Sequence, residues 1–237
     1  EYITGLGLFP NPADTMTLIP FLKRVQNGCG RKIQSVTADA GYASEENYTY
    51  LEENGQEAYI KPTDYEVRKT KRFKENIYRV ENLLYDEEKD TFTCPNEKRL
   101  FCVGESYEKT ESGYVTTKKN YVCENCEGCS HREKCYKAKD GARQISVSQT
   151  MRRLKREATE RINTERGIIL RQNRSIQVEG AFGVLKEDFG FRRFLTRGKV
   201  KTETQFFILA IAFNVQKLWN REKFERFNMF LFNEKAS

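Results

Sequence analysis

The first sixty residues alternate between strand-like and helix-like patterns of apolar positions. Tyr2, Thr4, Leu6 and Leu8 alternate with Ile3, Gly5 and Gly7, a period of two that predicts an edge strand of a larger sheet over residues 2–9. Asn11-Pro12 ends it, and Leu18, Phe21, Leu22 and Val25 then share one face of a helix. Pro20 is tolerable only near that helix's first turn, so the helix begins near Thr15 to Thr17 and closes at Asn27-Gly28. A short strand from Gln34 to Ala38 leads to Asp39. Ser44 caps a second helix with Glu45 and Glu46 in its first turn, Tyr48 and Leu51 facing inward, and Asn54-Gly55 as the stop. Glu57 to Ile60 reads as another strand, ended by Lys61-Pro62.

The pattern changes from Tyr65 to Ile145, where short β-like runs (NIYRV, TFTC, YVTTKKNYVC) lie among Lys, Tyr and Thr. Helical spacing returns near Ser148. Met151, Leu154, Ala158 and Ile162 line one face of a helix over 150–163, a second helix is predicted from Gln172 to Glu187, and a third from Glu203 to Asn220. The third holds the apolar block Phe206 to Phe213 and is expected to be buried on most sides. These stretches predict an α/β domain over 1–64, a small β-rich insertion over 65–147, and a helical part of the same domain over 148–237.

Composition narrows the classes of function. The 237 residues hold 41 Lys and Arg against 34 Asp and Glu, a formal net charge of +7, which favours a polyanionic partner. The Phe206 to Phe213 run is far shorter than the ~20 residues that span a bilayer, so no membrane segment is expected. The opening EYITGLGLFP has neither a basic start nor an initiator Met, and residue 1 reads as a truncation point. Four of the seven cysteines, Cys123, Cys126, Cys129 and Cys135, crowd into one short stretch, which reads as metal binding before disulfides.

Two carboxylates stand in positions suited to chemistry. Asp39 ends a short apolar strand, where ligands and catalytic groups collect in α/β sheets, although an ordinary cap before Gly41 explains it too. Glu179 lies beside an expected buried stripe of Val178, Phe182 and Leu185, on a face shared with Gly183 and Lys186. It is either a site residue or a rim glutamate paired with Lys186. Such carboxylates suit hard Mg²⁺, and two ions about 4 Å apart act on phosphodiesters. A site of this kind usually needs three acids. Asp14, in N-P-A-D-T, is a further candidate that fits a helix cap at least as well.

Cys126, Cys129 and Cys135 give C-x₂-C-x₅-C, and Cys94 precedes a Pro-Asn turn, an arrangement suited to tetrahedral structural zinc. Cys123 also forms C-x₂-C with Cys126, so the register stays open, and His131, the only histidine, is a possible fourth ligand. With one histidine, a His-based nuclease mechanism is excluded for these residues. Cys29 and Cys102 look incidental. Basic clusters stand at Arg192, Arg193, Arg197, Lys199 and Lys201, interleaved with Phe191 and Phe194, then at 152–156 and at 69–74. The first suits phosphate contacts, and the other two read rather as solvated faces.

Two blocks, VTADAGYASEENYTYLEENGQEAYIKP and RSIQVEGAFGVLKEDFGFRRFLTRG, the second followed by ETQFFILAIAFNVQKLW, resemble bacterial insertion-sequence transposases of the DDE class, in the Tn5-like group. The likeness runs along nearly the whole chain and includes the Cys-rich insert of one family branch. It implies an RNase H-like mixed sheet flanked by helices, with a β-rich zinc-binding insertion. It also implies metal-dependent cleavage and strand transfer on double-stranded DNA, at transposon ends and target, by a homodimer when DNA-bound in the bacterial nucleoid.

By this resemblance Asp39 and Glu179 are catalytic ligands of Mg²⁺ or Mn²⁺, Lys186 matches the Lys seven residues after the Glu, and the zinc set is Cys94, Cys126, Cys129 and Cys135. The family's Tyr and Arg before the Glu fall at Gln172 and Ser175 here. Arg171 and Arg174, one residue off, are candidate DNA-backbone contacts beside Arg192, Arg193 and Arg197. The first catalytic Asp is expected upstream of residue 1, which would leave this chain inactive alone. The alternatives are a catalytically inactive DNA-binding fragment or relic, and a related nuclease that cuts without strand transfer.

Overall fold

The computed structural model describes residues 2–11, 13–138 and 140–225, so Pro12 lies outside the described residues. The first elements are α1 (Leu18–Cys29), β1 (Ser35–Ala38), α2 (Glu45–Glu53) and β2 (Glu57–Ile60). They are followed by α3 (Tyr65–Lys69), α4 (Lys71–Lys74), β3 (Leu84–Asp86), β4 (Thr91–Thr93), β5 (Arg99–Lys109) and β6 (Val115–Cys123). Last come α5 (Arg132–Cys135), β7 (Gln144–Val147), α6 (Gln149–Asn163), α7 (Glu165–Gly183) and α8 (Lys199–Lys223). The architecture is mixed α/β. The described residues form two compact units, one drawn from within 2–43, 47–61 and 158–225, the other from within 44–46 and 62–157.

In the first unit β1 and β2 pair in parallel, with Val36 opposite Ala58 and Ala38 opposite Ile60. Tyr48 and Leu51 of α2 are buried as expected, and the Tyr48 hydroxyl donates to the Ile60 carbonyl at 3.0 Å. Helix α1 accepts Pro20 in its first turn and ends one residue beyond Gly28, with Gly30 left-handed at φ 62°. Helix α7 packs on both strands and starts seven residues before the expected Gln172. Thr164 is its cap, accepting from Gly167 N at 3.0 Å. Gly167 is needed there, because a Cβ would lie 2.2 Å from the Arg161 carbonyl oxygen. After Gly183 the helix widens into a π-turn, Val184–Asp188.

Three expectations are corrected in this unit. Residues 2–9 form no strand; instead Asn214 of α8 grips the backbone of Ile3, accepting from its N–H at 2.9 Å and donating to its carbonyl at 2.8 Å. Alternation makes a segment fit for a ladder, but a ladder needs a neighbouring strand, and a side-chain amide replaces one here. The stripe on α7 is buried only at Leu185; Val178 and Phe182 are exposed. Helix α8 is likewise buried only at Ala210 and Phe213, leaving Ile208, Ile211, Val215 and Trp219 exposed. A two-stranded sheet offers too little surface to cover both helices.

The second unit is built on a five-stranded antiparallel sheet in the order β3-β4-β5-β6-β7. Leu83, Phe92, Leu100, Tyr121, Cys123 and Ile145 form its core. A β-bulge between Cys102 and Gly104 breaks the long β5–β6 hairpin, whose end is tied down where Ser112 and Tyr114 donate to Glu46 and Glu45. Asp90 occupies the left-handed region (φ 49°) in the β3–β4 turn and accepts from the hydroxyls of Tyr85 (2.8 Å) and Tyr121 (2.7 Å) and from Lys119 Nζ (2.7 Å).

Candidate active site and cysteine cluster

Strand β1 delivers Asp39 to the sheet's C-terminal end, where it caps the short 3-10 turn Ala40–Tyr42. One carboxylate oxygen accepts from Ala40 N–H at 2.7 Å, and the other faces Arg174 Nη2 of α7 at 3.5 Å. The Asp39 side chain is 59% exposed, so this is a loose ion pair that leaves the carboxylate open to solvent. Asp14 stands against the same turn, since a Cβ on Gly41 would meet its Oδ2 at 2.9 Å. Burial raises the pKa of the Tyr42 hydroxyl. The charges of Asp14 and Asp39 push the same way, while Thr17 and Arg174 oppose them. Asp14, Asp39 and Arg174 are thus within electrostatic reach of one hydroxyl.

Glu179 sits on the exposed face of α7, one turn before the π-turn, and accepts from Ser175 Oγ at 2.7 Å. Added Cβ atoms at Gly180 and Gly183 would meet nothing within 4 Å, so the helix surface around Glu179 is open. Among the described residues no ion pair joins Glu179 to Lys186, whose Nζ lies 5.8 Å from the centroid of the Phe182 ring. The sequence did not single out Ser175 as a partner of Glu179. The only available signal was a hydroxyl four residues before a glutamate on one helix face. Arg174, expected as a phosphate contact, is placed beside Asp39.

Arg192, Arg193 and Arg197 are exposed on the segment between the π-turn and α8, and Arg192 pairs with Glu187 at 2.9 Å. Edge-to-face contacts of Phe194 with Phe191 and Phe206 brace this segment. Gln205 of α8 adds to them by accepting from the N–H groups of Leu195 (3.0 Å) and Thr196 (3.3 Å). The arginines are thus presented on a held backbone.

In the second unit Cys94, Cys123, Cys126, Cys129 and Cys135 line one pocket together with His131 and Arg143. Three sulfurs accept hydrogen bonds: Cys94 from Asn96 N (3.3 Å), Cys126 from Arg143 N (3.4 Å) and Cys135 from Arg143 Nη1 (3.0 Å). Cys123 differs. It is a core residue whose thiol burial pushes up to about 12, and it points at the Asn125 carbonyl. His131 is half-buried, with Nδ1 at 3.0 Å from the Tyr78 hydroxyl, and Cys29 and Cys102 are exposed and apart. Among the described residues no three His, Cys, Asp or Glu side chains stand close enough together to hold a metal ion as they are placed.

No helix among the described residues is long and apolar enough to cross a membrane. Comparison with curated proteins and with solved structures returns no match. A family model does match, described as a transposase DDE domain, over residues 93–219. That span takes in four pocket cysteines (Cys123, Cys126, Cys129, Cys135) with Cys94, then Glu179, Lys186, the arginine segment and most of α8, while Asp39 lies before it. With more than half of its length matched in this way, the chain belongs to the transposase DDE-domain family.

Proposed function

We propose that this chain is the RNase H-like catalytic part of an insertion-sequence transposase that cleaves DNA at transposon ends and joins the freed ends to target DNA. The family match over residues 93–219 carries the reading, because it includes Glu179 and the basic segment that follows. In this reading Asp39 and Glu179 are two acidic ligands of Mg²⁺ or Mn²⁺. Their chemistry fits: both are exposed carboxylates, and Asp39 is held only loosely by Arg174. When bound, divalent ions activate water or a 3′-hydroxyl for in-line attack and stabilise the leaving oxygen. Ser175 fixes the rotamer of Glu179, and Ala40 N–H orients Asp39. Lys186, Arg193 and Arg197 hold phosphates of double-stranded DNA bound by a homodimer in the bacterial nucleoid.

The cysteine pocket fits zinc by its donors. Cysteine sulfur is a preferred zinc ligand, and the sulfurs of Cys94, Cys126 and Cys135 are each placed to accept a hydrogen bond that would steady them. With Cys129 they make the proposed set, a staple for the β-rich 65–147 insertion. Cys123 is left as a core thiol.

The test is a DNA assay on the full gene product with Mn²⁺ or Mg²⁺ and duplexes ending in the element's terminal repeat. Metal-dependent nicking followed by joining to a second duplex is expected. Asp39→Asn and Glu179→Gln are expected to lower both at least about a hundredfold, since metal stabilisation is worth several kcal/mol. Nicking without joining identifies a nuclease, and binding without nicking identifies an inactive relic.

A further inference from the structure

Arg143 is a buried cation whose partners are the cysteine cluster. It is only 4% exposed, and charged side chains are almost never so buried unless paired. Among the described residues its fork meets no carboxylate. Nη2 donates to the Tyr78 carbonyl at 2.6 Å and Nη1 to Cys135 Sγ at 3.0 Å. Its own backbone N–H donates to Cys126 Sγ at 3.4 Å, and its carbonyl accepts from Cys123 N at 2.9 Å. One residue therefore ties the Cys126 side of the pocket to the Cys135 side. Its side chain also anchors Tyr78, whose hydroxyl meets His131.

A carbonyl and a neutral thiol cannot balance a buried guanidinium. A thiolate can. Four thiolates around one divalent thiophilic ion carry a formal charge of −2, and a guanidinium in contact lowers it to −1. Building on the zinc reading above, we propose that Arg143 is the counter-charge and positioning residue of that centre. It donates to Cys135 from outside the coordination shell and holds the sulfur in its ligating rotamer. Groups of this kind orient metal ligands, and removing one typically weakens metal binding about 10–100-fold. Lysine is a poor replacement, because a point charge cannot reach Cys135 and Tyr78 together as a planar fork does.

The experiment titrates the purified, reduced full chain with Co²⁺ and then Zn²⁺, against a chelator of known affinity. Wild-type protein is expected to bind one ion with the absorption of tetrahedral, thiolate-bound cobalt. Arg143→Met is expected to bind at least tenfold more weakly, with a shifted thiolate-to-cobalt band, and Arg143→Lys is expected to fall between. If wild-type protein shows no thiolate-cobalt absorption, the zinc reading itself fails. If wild-type protein binds and Arg143→Met binds equally well with the same band, the zinc reading stands and the role of Arg143 is overturned. Should Arg143→Met not fold, the zinc concentration that restores the wild-type circular dichroism of Arg143→Lys decides. A higher midpoint than wild type supports the role, and a coincident one overturns it.

Discussion

Asp90 is a point at which the second unit is exposed to a single substitution. In Asp90→Ala three donors lose their acceptor, and they lose it unequally. Tyr121 is fully buried. Its hydroxyl keeps the Gln149 amide, which donates to it at 2.8 Å, and a lesser contact with the Tyr85 hydroxyl, so its own proton loses its best acceptor. That costs about 1–3 kcal/mol. Tyr85 is half-buried and recovers a water, for a loss of about 0.5–1 kcal/mol. Lys119 is 35% exposed, and its ion pair is worth at most about 1 kcal/mol. Alanine in the left-handed region adds about 1 kcal/mol. The total is about 2.5–6 kcal/mol, a large share of the stability of an ordinary domain. Asparagine tolerates the same backbone and keeps an acceptor for both tyrosines, so Asp90→Asn is expected to cost only about 1 kcal/mol.

Hydrogen exchange at the amides of β4, β5 and β6 reads this unit separately from the first. In a Tyr121→Phe background Asp90→Ala is expected to cost about 1–2 kcal/mol less, the signature of a shared hydrogen bond. Acid gives a second readout. Burial alone would raise the pKa of Asp90, but hydrogen bonds from Lys119, Tyr121 and Tyr85 outweigh it and hold the carboxyl below its ordinary value. A depressed carboxylate stabilises the fold above its unfolded pKa, about 3.9, and loses that contribution as pH falls through its folded value. The gap between wild type and Asp90→Ala is therefore expected to narrow below about pH 4. Equal costs for the Ala and Asn variants, or a gap independent of pH, would refute the reasoning.

Three further outcomes follow from the geometry. Arg174→Gln frees Asp39 from a loose surface pair worth at most about 1 kcal/mol, so Mn²⁺ affinity, read by calorimetry, is expected to tighten less than tenfold; a weakening would make Arg174 a support of the site instead. Gly167→Ala places a Cβ 2.2 Å from the Arg161 carbonyl oxygen, where backbone must move, and is expected to cost at least about 2 kcal/mol in urea unfolding. Arg193→Ala and Arg197→Ala are each expected to lower the salt dependence of duplex binding by about one ion, whereas Arg192→Ala, whose guanidinium already faces Glu187, lowers it less.

The parts of this molecule that were legible in its sequence are those decided within a few residues. Strand β1 ending at Asp39, the two glutamates opening α2, and the Leu154, Ala158 and Ile162 face of α6 each follow from local spacing and capping. The pairing expected of residues 2–9 and the burial expected of α8 fail for a common reason. Periodicity states what a segment is fit to pair with or bury, and says nothing of whether a partner stands beside it. The same limit hid Arg143. It is one of 41 basic residues, in a stretch whose pattern marks no element, and its neighbours Cys126, Cys135 and Tyr78 lie 17, 8 and 65 positions away. Cysteine spacing advertises a metal because metal ligands must be cysteines or a few other types. The cation that balances them can come from any strand end that reaches the pocket, so its place is set by the β6–β7 register that brings Arg143 beside Cys123. A residue whose role depends on strand register becomes visible only when the strands are paired.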